Sequence, residues 1–384
     1  MAASPDYFIY HQKIIAAEKL FLKDSIPASL KAYRAIFAEY KPFAKDAFIA
    51  LELACMVKDT TQAHYFFEEC FKAGVNWDIF DKVLWIKNIL EQNSAYKNKL
   101  TETYWKERKL HYASIDIGLR EYLGILSRKD DTANRRNKKS IKEYFDWVAR
   151  QSDSFHVAYE NRLENFPMLV RYRKKQQDST SDYYKTLKRL IIKKYLPLGK
   201  YDTLFVKRTE INILALDSVS KMLGYVPGEK TIGIVDNHID LHQEVNTLSL
   251  DFRPSIIHLL YHHGCGFWLM KNELYESVKR GEIHPRYYAL LYDYSYCALK
   301  DVSTTNLSMK NLQSINEIKC PLPEKDKVYN IAAFNCMLEK ADCTFVNKCR
   351  KVLSISSLQH DKKKIEYAKN HHLILFFGFL GVET

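Results

Sequence analysis

The stretch Lys23-Asp24-Ser25-Ile26-Pro27-Ala28 has a counterpart at Lys58-Asp59-Thr60-Thr61-Gln62-Ala63, 35 residues further on. Both read Lys-Asp-(Ser/Thr), with Ala three residues after the hydroxyl side chain. Each is a helix start. Asp, Ser and Thr accept bonds from the free N–H groups of a first turn, and Pro27 stands where no donor is missed. Outward from the first turn, Ile9, Ile14, Ala17, Leu20 and Phe21 lie at helical spacing before it, and Ala28, Ala32, Tyr33, Ile36 and Phe37 after it. Around the second turn, Phe48, Leu51, Ala54 and Cys55 precede, Ala63, Phe66, Phe67 and Cys70 follow, and Gly74 closes the helix. Two helical hairpins are therefore predicted. A fifth helix over 77–92, carrying Trp77, Ile79, Phe80, Val83, Leu84 and Ile86, caps them.

A helix–turn–helix period near ~34 residues resembles the tetratricopeptide repeat family. Small Ala residues sit where two helices pack closely, beside large aromatics. The family's Trp and Gly-Tyr positions are absent, and Lys-Asp stands at the turn where Gly is usual. Such arrays use about three repeats to stand alone. Two copies are thus expected to lean on the rest of the chain. The resemblance implies a groove for a protein or peptide partner, or else a frame packed against the chain's own C-terminal half.

The rest of the chain also reads as helical. Helices are expected over 103–127, 140–150, 155–176, 183–195, 208–223, 256–263, 267–280 and 287–299, punctuated by Gly224, Gly264, Gly281 and Pro285. With 12 Gly and 10 Pro in 384 residues, a turn-rich all-β chain is excluded. No apolar run approaches the ~20 residues a membrane span needs; the longest candidate is Leu373 to Leu380. The expected fold is all-α: a tetratricopeptide-like module over 1–98, a basic helical connecting region over 99–182 and a helical C-terminal domain over 183–384.

Three further stretches resemble an uncharacterised bacterial domain of unknown function, common in Bacteroidota. They are Gly224-Tyr-Val-Pro-Gly-Glu-Lys-Thr-Ile-Gly233, then Ile257-His-Leu-Leu-Tyr-His262-His263 with Val278-Lys-Arg-Gly-Glu-Ile-His-Pro285 and Tyr288-Ala-Leu-Leu-Tyr-Asp293, and finally Val346-Asn347-Lys-Cys-Arg350 with Ser356-Ser357-Leu358. The resemblance implies a functional His at the end of the first helix, matched by His262 or His263, and an Asp in the third, matched by Asp293. Tyr294 stands where an Arg usually follows that Asp, and Cys297-Ala-Leu-Lys300 replaces a Gln-Tyr-Gly-Thr segment.

The candidate chemistry centres on histidine. His238 and His242, and His258 and His262, are i, i+4 pairs, which on a helix lie one turn apart and can grip one metal ion. Asp236, Asp240 and Glu244 are close in sequence. A His general base oriented by a carboxylate is the other use of such groups. Cys265, beside His262 and His263, is a candidate Cys–His nucleophile or simply a small turn residue. No G-x-S-x-G or Walker glycine loop occurs. The eight Cys form no C-x-x-C pair and read as inert thiols of a reducing, cytoplasmic setting.

Net charge is +12, and residues 120–230 hold 24 Lys and Arg against 14 Asp and Glu. Arg135, Arg136, Arg171, Arg173 and Lys174, interleaved with aromatics, form a candidate nucleic-acid surface or a solvated helix face. The leading expectation is an interaction or scaffold protein. A His-based hydrolytic or metal-binding enzyme follows, and nucleic-acid binding stands third. No cofactor is specified.

Overall fold

The computed structural model describes residues 6–130, 208–235, 239–240, 249–250, 252–263, 265–304, 329 and 343–375. The fold is all-α. Among the described residues the exception is a two-residue antiparallel ladder, β1 (Ile239–Asp240) with β2 (Ser249–Leu250), in the register Ile239 to Leu250. No described helix is long and apolar enough to cross a membrane.

The N-terminal helices are α1 (Tyr7–Phe21), α2 (Ile26–Glu39), α3 (Ala44–Met56) and α4 (Thr60–Lys72), packed as the hairpins α1–α2 and α3–α4. The register of the two copies is 34 residues, one fewer than the Lys-Asp match gives. Asp24 and Lys58 both take the left-handed conformation at φ 58. Ser25 N–H donates to the Leu20 carbonyl, and Asp59 N–H donates to the Ala54 carbonyl, each at 3.0 Å. The cap geometry selects the register, so the close-packing position of Ala63 belongs to Ser29 and not to exposed Ala28. Ser29 is fully buried and its hydroxyl donates to the Ala17 carbonyl at 2.8 Å. A β-carbon at positive φ costs about 1 kcal/mol relative to Gly, and both hairpins carry that cost.

The expected fifth helix starts as a 3-10 turn, Trp77–Lys82, and continues as α5 (Leu84–Gln92). The span expected as one helix over 103–127 belongs to two. The first, α6 (Ser94–Ser114), stops where Ile115 turns extended. The second, α7 (117–130), starts after Asp116, whose carboxylate accepts from Leu119 N–H at 2.8 Å. α8 (208–223) ends at Gly224, φ 74. α9 (Ile256–His262) follows, and the expected 267–280 helix is broken at Met270 into α10 (Gly266–Leu269) and α11 (Lys271–Arg280). Gly281 closes α11 at φ 75. The chain then forms α12 (Pro285–Thr304), α13 (Cys343–Val352) and α14 (Leu358–His371).

The compact units are not the three consecutive segments drawn from the sequence. One unit gathers Met1–Ser127, Asn212–Met309 and Lys319–Thr384; the other is Arg128–Ile211 with Lys310–Ile318. The 1–98 module is thus part of a larger body, for a physical reason. Its core of Phe21, Phe48, Phe66, Phe67 and Phe80 is continuous with Phe252, Tyr367, Leu373 and Leu375 from far along the chain. The α1, α3 and α5 side is filled by α14 and the residues after it. Tyr367 packs on Phe21 with ring centroids 5.3 Å apart. Ile374 N–H donates to the buried Glu52 carboxyl at 2.9 Å, and the Trp85 indole N–H to the His371 carbonyl at 2.8 Å.

Candidate functional site

The C-terminal helices meet α1 and α3 across a buried layer of charge. α1 presents Tyr7, Tyr10, His11, Ile14, Ala17, Glu18 and Phe21 on one stripe, so His11 and Glu18 lie two turns apart facing inward. α3 is buried along nearly its whole length, which takes Asp46 and Glu52 inside with it. The partners come from His284-Pro285-Arg286 at the start of α12, Arg350 on α13, Ser356, and His360, Asp361 and Lys364 on α14.

Two ionic knots result. Glu18 receives His360 Nε2 at 2.9 Å and the Lys364 ammonium. Burial alone raises the Glu18 carboxyl, but Lys364, the bond and charge of His360, and Lys45 outweigh it and hold it well below the usual range. Asp361 receives Arg286, Arg350 and the Ser356 hydroxyl, the last at 2.6 Å. Its carboxyl is likewise lowered, burial being outweighed by the two guanidinium groups. Arg350 is 1% exposed and pushed down by burial to about 10, still charged at neutral pH. Its Nε donates to the Ser356 carbonyl at 2.7 Å and its Nη1 to the Tyr329 carbonyl at 3.2 Å.

Beside the knots lie His11, Asp46 and His284, exposed by 2, 0 and 8%. One ligand-type atom from each falls within 4.8 Å of the others. The two imidazoles meet edge to face, centroids 4.7 Å apart. Asp46 accepts from Tyr10 Oη at 2.8 Å and from Lys45 Nζ at 2.7 Å. Burial first, then nearby Lys45, lowers both histidines well below the ordinary value, so both are neutral at pH 7. A cavity of about 20 Å³, room for one water, is lined in part by both rings with Glu18, Lys45, Arg286 and Lys364.

The 224–233 stretch serves this junction from one side. Glu282 accepts from Gly228 N–H and Thr231 N–H, both at 3.0 Å, and so shapes the loop. A β-carbon at Gly228 would fall 2.0 Å from the Glu282 carbonyl oxygen. The loop then inserts Glu229, which accepts from Ala44 N–H and caps α3, and Lys230, whose Nζ lies 3.5 Å from the Tyr7 ring centroid. The first two stretches singled out in the C-terminal half are joined by the Gly228 N–H to Glu282 bond, and Arg286, just after the second, donates through Nη2 to Ser356 Oγ of the third at 2.8 Å.

The sequence-derived candidates fall elsewhere. His258 Nε2 already accepts from Arg253 Nη2 at 2.8 Å, which occupies that nitrogen as a metal donor. His262 ends α9, and its side chain lies outside the described residues. His263 is buried at 5% exposure. Asp293, 1% exposed, accepts from Tyr329 N–H at 3.1 Å and so helps to hold Tyr329 opposite Arg350. Tyr294 stacks on Tyr261 with centroids 4.0 Å apart. Cys265 is in a disulfide, which corrects both the inert-thiol and the nucleophile readings of that residue; Cys55, Cys70, Cys343 and Cys349 are free. His238, His242, Arg135, Arg136, Arg171, Arg173 and Lys174 lie outside the described residues. The sequence signal that marks the junction is a polar residue on an apolar stripe, such as His11 and Glu18 beside Ile14, Ala17 and Phe21.

A groove of about 440 Å³ runs between the C-terminal ends of α2, α4 and α6. Tyr40, Lys41, Glu69, Lys72, Glu107 and Leu110 line it. His111 forms its floor, bonding the Lys72 carbonyl through Nδ1 at 2.9 Å. Burial, with Lys41, Arg120 and Arg108 nearby, lowers His111 to about 4. No protein-family model, curated protein or solved structure matches the chain.

Proposed function

We propose that this is an interaction protein whose tetratricopeptide-like hairpins hold a peptide segment of a partner in the groove between α2, α4 and α6. One observation carries the reading. The α1, α3 and α5 helices are bonded by the chain's own α14 and the residues after it, whereas the C-terminal ends of α2, α4 and α6 keep a groove of about 440 Å³. That volume is in the ~300–1,000 Å³ range of ligand sites. Leu110, 54% exposed, offers apolar contact there, and Lys41, Lys72 and Glu107 offer polar contact. The 34-residue register of the hairpins supports the repeat resemblance. Among the described residues the free thiols of Cys55, Cys70, Cys343 and Cys349 favour a cytoplasmic setting; the disulfide at Cys265 weighs against it.

The test is quantitative co-purification with the wild-type chain and with Leu110→Arg/Glu107→Lys, followed by direct titration of each differing protein. A partner whose affinity falls at least about tenfold in the variant, a loss near 1.4 kcal/mol, supports the reading. Partner sets that do not depend on Leu110 and Glu107 overturn it.

A further inference from the structure

We propose that His11, Asp46 and His284 bind one divalent transition-metal ion of the zinc class. The inference uses residues other than those of the groove. α1, the first turn of α3 and the residue before α12 each bring one donor to a common point, within 4.8 Å of one another. A tetrahedral ion with ~2.05 Å bonds needs its donors about 3.4 Å apart, so a small rotation of the rings completes the set. Two imidazole nitrogens and one carboxylate oxygen suit a borderline ion such as zinc, and are too few oxygens for calcium.

Four features support the site. Among the described residues, His11 Nε2 has no hydrogen-bond partner, although the residue is only 2% exposed; an orphaned buried polar atom costs roughly 1–3 kcal/mol unless something satisfies it. Both imidazoles are neutral, the form in which they ligate. Tyr10 Oη holds Asp46 Oδ2 at 2.8 Å, an outer contact of the kind that orients a ligating carboxylate. The adjoining cavity of about 20 Å³ has room for a water as fourth ligand.

Two contacts oppose the ion, and they shape the test. Lys45 Nζ, 2.7 Å from Asp46 Oδ1, competes for the carboxylate. Arg286 N–H reaches His284 Nδ1 at 3.2 Å. Ligation through Nε2 moves the ring proton to Nδ1 and gives up that long bond. The ion therefore binds in competition with the Lys45 ammonium, and removal of that charge tightens it. Held by donors from α1, α3 and the residue before α12, the ion is a clasp between the N-terminal hairpins and α12.

The experiment uses the full chain, stripped with chelator and titrated with Co²⁺ and then Zn²⁺. The visible bands of bound Co²⁺ and elemental analysis after desalting are the readouts. One equivalent per chain is expected, with loss in His11→Ala and His284→Ala and about tenfold tighter binding in Lys45→Gln. No retained ion in either the wild type or Lys45→Gln overturns the site, as does retention that is unchanged in both histidine variants. If the histidine variants lose their circular dichroism, Lys45→Gln decides alone: an affinity equal to the wild type overturns the proposal.

Discussion

Glu18 and Glu52 occupy the same place in the two hairpins, 34 residues apart, and both face the C-terminal segment from inside the protein. Their chemistry is opposite. Glu18 meets Lys364 and His360 and is held ionised. Among the described residues Glu52 meets the backbone N–H of Ile374, and burial pushes its carboxyl up to about 8. It is therefore mostly protonated at neutral pH. A repeat position can thus be kept for its geometry while its charge state is set by whatever packs against it. The first hairpin grips α14 by ion pairing, and the second grips the chain beyond α14 by a neutral hydrogen bond.

The largest effect expected is from Glu18→Gln. It leaves the buried Lys364 and His360 without their carboxylate and should cost about 3–5 kcal/mol in denaturant unfolding. A loss under about 1 kcal/mol would show that the ion pair contributes no more than a surface one. Next is Gly74→Ala, at the end of the second hairpin. Gly74 has φ 88, and an added β-carbon would fall 2.5 Å from His111 Nε2. A loss of roughly 2–4 kcal/mol is expected, combining strain with overpacking.

Glu52→Gln should act in the opposite direction from Glu18→Gln. The folded carboxyl titrates near 8 against 4.5 in the unfolded chain, so the folded state holds the extra proton between those values. Wild-type stability from this group is complete below pH 4.5, falls as pH rises towards 8 and is level above it. The amide has no such loss. At pH 8 the variant should be about 1–2 kcal/mol more stable than the wild type, less any cost of its buried NH₂. At pH 4.5 the advantage should vanish, as thermal melts at the two pH values would show. The smallest effect separates turns from helices. Asp24→Gly and Lys58→Gly, both at φ 58, should each stabilise by about 0.5 kcal/mol, relieved strain exceeding the added freedom of the unfolded chain. Unequal gains would break the equivalence of the two turns.

The hairpins were legible because their signals are local. Spacing of Ile14, Ala17 and Phe21, the cap at Asp59, and Gly74 at its turn all act within a few residues, whereas Ser25 stands at the N-cap of α2 without a side-chain cap bond. The one-residue error in register has the same origin. Matching letters aligned Lys23 with Lys58, whereas the backbone aligns Asp24 with Lys58. The junction was illegible because its members are scattered. Glu18 and Lys364 lie 346 positions apart, and only folding brings His284 to His11. The i, i+4 histidine pairs drew attention by proximity in sequence, yet His258 spends its Nε2 on Arg253, five residues away.

The covering of the hairpins by α14 also sets an order of events on the ribosome. The apolar side of α1 and α3 leaves the exit tunnel more than 300 residues ahead of Tyr367 and Ile374, which close it. At about 5–20 residues per second, the newborn hairpins wait roughly 15–60 seconds with Phe21 uncovered and Glu52 unbonded. For that interval the apolar side that α14 will cover faces water, and a chain that stalls before α14 is made leaves a sticky, half-finished surface.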